Sequence, residues 1–107
     1  MDRKIIIINE HIKGRLVYAE RKTCKESRWL VLIKEVSNGK CIERIISYNY
    51  ELNAWLFSKG EADVWSKTAF FYDFYEPTEE EIKMVVNKLA EYGFKFIPIL
   101  NQVIKKR

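Results

Sequence analysis

The sequence predicts one α+β domain, in which an antiparallel, strongly twisted sheet of five or six strands carries one main helix (78–92) on a face. Two local signals and one absence predict it: a hairpin signal around 38–39, a capped amphipathic pattern at 78–92, and no Pro/Gly-rich linker or internal repeat. The 107 residues therefore form a single domain, 1–107. A chain of this size removes roughly two thirds of its unfolded surface from water, so it needs no disulfide or metal for stability.

The first signal is the dipeptide Asn38-Gly39, which stands between two strand-like runs, 28–36 and 41–50. Asn-Gly supplies the positive φ angles of a two-residue type I′ turn. A two-residue loop fixes the register of the hairpin and places Lys34 opposite Glu43, a favourable cross-strand charge pair. The sequence thus predicts both the hairpin and its pairing.

The second signal is a helix with both of its ends marked. Thr78 and Glu81 have the spacing of a capping box, and the acidic triplet 79–81 lies where the helix dipole favours negative charge. Gly93 is the residue type that ends a helix in the left-handed conformation. The apolar stripe consists of Ile82, Val85, Val86 and Leu89.

Shorter apolar runs predict strands over 3–9, 15–21 and 68–75, a short strand or a bend over 54–57, and a terminal hairpin over 94–106 that turns near Pro98–Asn101.

Six aromatic residues lie between Trp65 and Tyr75. Alternation along the strand puts Phe70, Tyr72 and Phe74 on one face, and Phe71, Asp73 and Tyr75 on the other. Because the strand runs directly into the amphipathic helix, we expect the helix to cover one of these faces. The rings are then mainly core, although one row could stay exposed as a binding surface.

The stretch 77–104 also has a recognisable order: Thr78, the acidic triplet, the helix, Gly93-Phe94-Lys95-Phe96, and a short hairpin. It resembles the C-terminal helix and hairpin of small uncharacterised proteins of phages and gut-bacterial mobile elements. The chain departs from that pattern with Phe96 where Trp is usual and with Pro98 inside the hairpin. The resemblance brings no activity and no functional residue.

The residue inventory does not favour catalysis or metal binding. There is one histidine, His11, and two cysteines, Cys24 and Cys41, without a CxxC motif; the four glycines are isolated, so no phosphate-binding loop is present. Cations around Cys24 would favour a reactive thiolate, but an inert exposed thiol is the alternative. A Cys24–His11 dyad would require the fold to join the two. We predict a protein that is not an enzyme and has no catalytic residue, metal or cofactor.

The longest apolar run near the N-terminus is the four isoleucines 5–8, which is too short for a secretory signal or a membrane span. We therefore expect a cytoplasmic protein that makes no membrane contact.

Charge is distributed unevenly along the chain. Residues 1–28 carry eight Lys/Arg against four Asp/Glu, 61–92 carry three against eight, and 93–107 carry four against none. Within the first region, cations alternate with aromatic residues over 13–29, as in surfaces that follow a phosphate backbone and stack bases. The candidate binding residues are Arg15, Tyr18, Arg21, Lys22, Lys25, Arg28 and Trp29.

We therefore predict a small non-catalytic binding protein, most readily an accessory or inhibitor that contacts another protein. The alternative is a single-stranded nucleic-acid-binding module that uses 13–29 and the basic C-terminal tail. A homodimer through a sheet edge is a third possibility.

Overall fold

The computed structural model describes residues 3–9, 11–37, 41–58, 63–66 and 71–105. Over these residues the chain forms an antiparallel sheet of six strands, one α-helix and a separate two-stranded sheet near the C-terminus. The predicted α+β fold class, with one helix packed on a sheet, is confirmed.

The elements follow one another as β1 (Leu16–Arg21), β2 (Cys24–Ser37), β3 (Cys41–Asn49), β4 (Ala54–Phe57), β5 (Asp63–Ser66), β6 (Tyr72–Tyr75), α1 (Glu79–Glu91), β7 (Phe94–Ile97), a 3-10 turn (Pro98–Leu100) and β8 (Gln102–Lys105). The large sheet has the order β4-β3-β2-β1-β6, and β5 pairs with a different part of β3 from β4. Strands β7 and β8 form the terminal hairpin. The sequence predicted this hairpin but did not predict β5.

The hairpin of β2 and β3 has a register that differs from the predicted one. Ser37 faces Cys41, and Val36 faces Ile42 instead of Cys41. Three residues, 38–40, therefore separate the last facing pair, which rules out the two-residue loop that set the prediction. The Asn-Gly turn itself lies outside the described residues.

Two irregularities follow within the same hairpin. The register skips Lys34 on β2 and Ile45 on β3, so each strand carries one extra residue and the two offsets cancel. Glu43 faces Glu35, in the same register as the Ser37–Cys41 pair at the loop. The predicted Lys34–Glu43 cross-strand pair is wrong.

Helix α1 has the predicted ends. Thr78 is the N-cap, and the Glu81 N–H donates to its hydroxyl while the Glu81 carboxylate accepts from the Thr78 N–H at 2.8 Å. At the other end Gly93 has φ +86°. A left-handed residue at this position ends the helix and turns the chain into β7.

The helix and the terminal hairpin cover one face of the large sheet. Val85 and Leu89 of α1 and Phe96 of β7 are buried against residues that alternate along the central strands. Those strand residues are Leu16, Tyr18, Leu30, Leu32, Ile46 and Tyr48. We call this the helix face.

The opposite face of the sheet has its own apolar core. It contains Ile6, Ile12, Val17, Ala19, Val31, Ile33, Val36, Ile42 and Phe74. Because successive residues of β2 enter different cores, this strand is buried on both sides. We call this side of the sheet the rear face.

The sequence allowed the helix to cover either face of the aromatic strand β6, and the structure has one of these two arrangements. Tyr72 and Phe74 pack in the rear-face core, whereas Tyr75 belongs to the helix-face cluster. The helix therefore covers the Tyr75 side of β6. Phe70 lies outside the described residues.

The N-terminal segment 3–9 contains no strand, and that prediction is wrong. It has one isolated bridge, between Ile5 and Tyr75. Two backbone hydrogen bonds flank it: the Ile6 N–H donates to the Phe74 oxygen at 2.8 Å, and the Glu76 N–H donates to the Lys4 oxygen at 2.9 Å. The segment runs antiparallel to β6 and lies outside it. We call residues 3–9 the edge segment.

Candidate functional site

The two aromatic residues of the predicted binding stretch lie on different faces of the sheet. Tyr18 is buried on the helix face, and the guanidinium carbon of Arg3 lies 3.8 Å from its ring centre. Trp29 faces Ala19 across the strands and packs against the rear-face core. Since the sheet separates the two rings, they do not form one stacking surface.

The cations of the stretch are also distributed. Arg15, at the start of β1, forms an ion pair with Glu76 at 2.9 Å. Arg21, Lys22 and Lys25 are exposed at the connection between β1 and β2. We call 21–25 the hairpin tip. The structure thus brings together these three of the seven predicted residues and leaves Arg15 at the opposite end of β1.

Acidic groups accompany the cations near the tip. Lys22 lies 4.0 Å from Asp73 on β6, and Arg28 faces Glu20 across β1 and β2. Arg28 also stacks over the ring of Tyr50 at 4.9 Å from the ring centre. The charge at this end of the sheet is therefore mixed.

The ring of Phe71 adjoins the hairpin tip. The Lys22 N–H donates to the backbone oxygen of Phe71 at 3.0 Å, and the Phe71 side chain is 49% exposed. Phe71 was not among the predicted binding residues, although its place in the aromatic run was visible.

The most connected polar group of the helix face is the buried carboxylate of Glu81. Besides its role in the capping box, it accepts from both terminal nitrogens of Arg3 and from the Tyr50 hydroxyl at 2.7 Å. Burial by itself would raise the pKa of Glu81, but the hydrogen bonds from Arg3, the Thr78 N–H and Tyr50 outweigh it, and the pKa lies below its ordinary value. The same arrangement joins the edge segment to the helix.

The pKa values of Tyr50 and Arg3, the side-chain partners of Glu81, shift in the opposite direction. Burial and the hydrogen bond to Glu81 raise the pKa of Tyr50, and the hydrogen bond to Glu81 raises the pKa of Arg3. All three groups therefore keep one protonation state at neutral pH. This cluster stabilises the fold, and it holds no group prepared for proton transfer.

The edge segment exposes apolar side chains on an outer edge of the sheet. Ile5 is 70% exposed and Ile7 is 78% exposed, whereas Ile6 is buried and Ile8 packs against the rear-face core. The hydrogen bonds to β6 use the N–H of Ile6 and the oxygen of Lys4. Ile5 lies between these two hydrogen bonds in its bridge to Tyr75, so its own N–H and C=O point away from β6.

Groups that could support other chemistry are sparse. Among the described residues, no three His, Cys, Asp or Glu side chains form a group that could hold a metal ion. Cys24 is exposed in the hairpin tip. His11 lies in the turn before β1, where its backbone N–H donates to Asn9 Oδ1 at 2.8 Å. Over the described ranges, no helix is both long and apolar enough to cross a membrane.

A groove of about 260 Å³ lies between the start of β1, the residues before α1 and the terminal hairpin. The Arg15–Glu76 pair, Pro77 and Asn101 line it together with apolar side chains. Arg15 and Glu76 neutralise each other, so the described lining residues leave no net charge for an ionic ligand.

Comparisons of the chain with protein-family models, with curated proteins and with solved structures find no match. The resemblance of 77–104 to phage and mobile-element proteins stays a prediction.

Proposed function

We propose that the protein is a small non-catalytic interaction module, an accessory or inhibitor, that binds another polypeptide by strand addition at the edge segment. The observation that carries the proposal is the exposure of the Ile5 and Ile7 side chains together with the outward-pointing backbone groups of Ile5. An added strand gains main-chain hydrogen bonds from such an edge, and alternate side chains supply apolar contact.

The composition of the edge segment supports this proposal. Sheet edges that stay unpaired usually carry inward charges, prolines or bulges that prevent association. Residues 5–8 are four isoleucines, without a proline or a charge. Exposed apolar side chains grouped in this way are typical of interaction sites, and the one exposed cation of the segment, Lys4, lies at its beginning.

The test is affinity capture from the native host, followed by quantification of the bound proteins with and without nuclease. We expect capture to survive nuclease and to fall at least about tenfold in Ile5→Lys and Ile7→Lys, because each places an ammonium in the apolar contact. Ile99→Lys is the matched control, since Ile99 is 90% exposed in the turn of the terminal hairpin. Equal capture by all variants would overturn the proposal.

Binding to single-stranded nucleic acid is the second candidate. It is favoured by the exposed cations Arg21, Lys22 and Lys25 next to the half-exposed ring of Phe71. In that case nuclease would remove the captured material. Binding to a fluorescent oligonucleotide would fall steeply with salt and would be lost in Arg21→Glu/Lys25→Glu.

A further inference from the structure

We propose that a small pocket on the helix-face side of the sheet binds a monocarboxylate whose body is a single ring. The pocket has a volume of about 160 Å³ and lies where the terminal hairpin meets strands β2, β3 and β4. Its described lining consists of Lys34, Ile45, Phe57, Ser58, Phe94 and Val103. The site goes beyond the proposed function, because it takes a small molecule and uses no residue of the edge segment.

Two irregularities of the β2–β3 hairpin supply residues to this pocket. Lys34 and Ile45 are the residues that the register skips, one on each strand. Ile45 packs against the helix-face cluster that contains its neighbour Ile46, although neighbouring residues of a regular strand point to opposite faces. Bulges re-aim side chains in this way and are over-represented next to active sites. The two extra residues therefore give the pocket one apolar wall and its cation.

Ser58 satisfies the backbone at the irregularity on β3. The Ser58 N–H and the Ser58 hydroxyl both donate to the Ile45 oxygen, each at 2.9 Å. The hydroxyl hydrogen is thus used within the protein, and the ammonium of Lys34 is the donor that remains for a ligand. An ammonium has three N–H donors, so it can donate to a ligand and keep its contacts within the protein.

The apolar walls determine the body of the ligand. Ile45, Phe57, Phe94 and Val103 are each only partly buried, and the rings of Phe57 and Phe94 meet edge to face with 5.3 Å between their centres. An engineered apolar cavity of about 150 Å³ accepts benzene. This pocket of about 160 Å³ therefore has room for one ring. It is too small for drug-sized molecules, whose pockets measure about 300 Å³ or more.

The charges determine the polar group of the ligand. Lys34 is the one charged residue of the described lining. Lys105 adds a second positive charge on this side, because it faces Phe94 across the terminal hairpin and cross-strand neighbours share a face. A carboxylate forms charge-assisted hydrogen bonds with an ammonium, whereas an amine is repelled. The pocket therefore favours an anionic ring compound.

Two carboxylates adjoin this region in the strand register. Glu35 and Glu43 face each other one position beyond Lys34. Neither belongs to the described lining, and Glu35 is paired with Lys13 at 3.4 Å. Because charge interactions weaken with distance, they lower the affinity without reversing the preference that Lys34 sets. We expect dissociation constants of about 0.1–10 mM, as for other very small ligands.

The first experiment is a titration of the isotope-labelled full chain with benzoate, followed through the backbone amide shifts in NMR spectra. We expect saturable shifts at Ile45, Ser58 and Val103 within that concentration range. Benzamide has nearly the same shape without the charge, and it should bind at least about fivefold more weakly. The absence of saturable shifts at these residues overturns the inference, and equal affinities for the two probes overturn the choice of a carboxylate.

The second experiment removes the cation. Lys34→Met keeps the apolar stem, so benzoate should bind at least about fivefold more weakly while benzamide binds as before. Lys83→Met is the matched control, since the Lys83 side chain is 70% exposed on α1, and it should change neither affinity. Unchanged benzoate affinity in Lys34→Met contradicts the assigned role of this residue.

The third experiment fills the pocket. Val103→Phe places a ring in the volume that the ligand would occupy, so both probes should lose their binding. The dispersion of the amide spectrum shows whether this variant is folded, and the result with Lys34→Met does not depend on it. A folded Val103→Phe protein that still binds benzoate would show that the site lies elsewhere.

Discussion

Replacing Glu81 by Gln should destabilise the protein by about 2–3 kcal/mol at pH 7, because the carboxylate is buried and accepts hydrogen bonds from Arg3, Tyr50 and the Thr78 N–H. Gln keeps the shape and can still complete the capping box. It removes the negative charge opposite Arg3. A hydrogen bond to a charged group contributes about 1.5–3 kcal/mol. Because water reaches part of Arg3, the total loss of stability stays below the cost of breaking a fully buried ion pair.

The effect should depend on pH with a defined sign. The pKa of Glu81 is lower in the folded protein than its ordinary value, so the unfolded chain takes up the proton first as the pH falls. The stabilisation is present above about pH 4.3 and is lost as the pH falls through the folded pKa. The difference between the wild type and Glu81→Gln should therefore shrink at pH 3.

Urea unfolding followed by tryptophan fluorescence at pH 7 and pH 3 measures both quantities. Glu80→Gln is the matched control, since Glu80 is exposed and lies 4.0 Å from Lys83 in an exposed ion pair. Its replacement should cost no more than about 0.5 kcal/mol. Equal unfolding midpoints for the two variants, or a gap as wide at pH 3 as at pH 7, would refute this account of Glu81.

Two further substitutions test the packing. Gly14→Ala should lower stability by about 2–5 kcal/mol, because Gly14 has φ +68° and a Cβ there would overlap the backbone oxygen of Asn101. Gly93→Ala is the control: Gly93 has φ +86° but open space around it, so this change should cost only about 1–2 kcal/mol. Thermal unfolding compares the pair, and similar losses would contradict the close approach. Leu89→Ala should cost about 2–5 kcal/mol because Leu89 is fully buried, while Leu100→Ala, at an exposed position, should stay within about 0.5 kcal/mol. A small loss for Leu89→Ala in urea unfolding would show that the helix does not close this core.

The helix was predictable because its signals are contiguous in the sequence. Thr78, Glu81 and Gly93 act on the backbone within a few residues of themselves, so no distant contact is needed to interpret them. The hairpin was predictable as an element for the same reason. Its register was not, because Asn38-Gly39 favours a two-residue loop, whereas the pairing of Ser37 with Cys41 leaves three residues between the strands.

The edge segment was harder to predict. A run of four isoleucines has no polar alternation, so the sequence does not say which of them face the core. The answer depends on β6 and the residue after it, because the Phe74 oxygen and the Glu76 N–H fix the direction of Ile6 and Lys4. Exposure of Ile5 and Ile7 is thus a property of the tertiary pairing.

The candidate binding stretch shows the same dependence. Proximity in sequence suggested that Tyr18 and Trp29 share a surface, but the register sets Trp29 opposite Ala19, and neighbouring positions point to opposite faces. Glu81 was predicted only as a helix cap. Its other donors come from Arg3 and Tyr50, which the sequence offers no reason to place beside it.

The contact between the edge segment and β6 has a consequence for synthesis. Arg3 and Glu76, which it brings together, are 73 positions apart in the chain. At about 5–20 residues per second, a ribosome needs several seconds to make the intervening residues. The isoleucine run therefore emerges long before its docking strand exists, and a chaperone or a neighbouring nascent chain could reach it first. Folding of this protein therefore depends on what the isoleucine run contacts during those seconds.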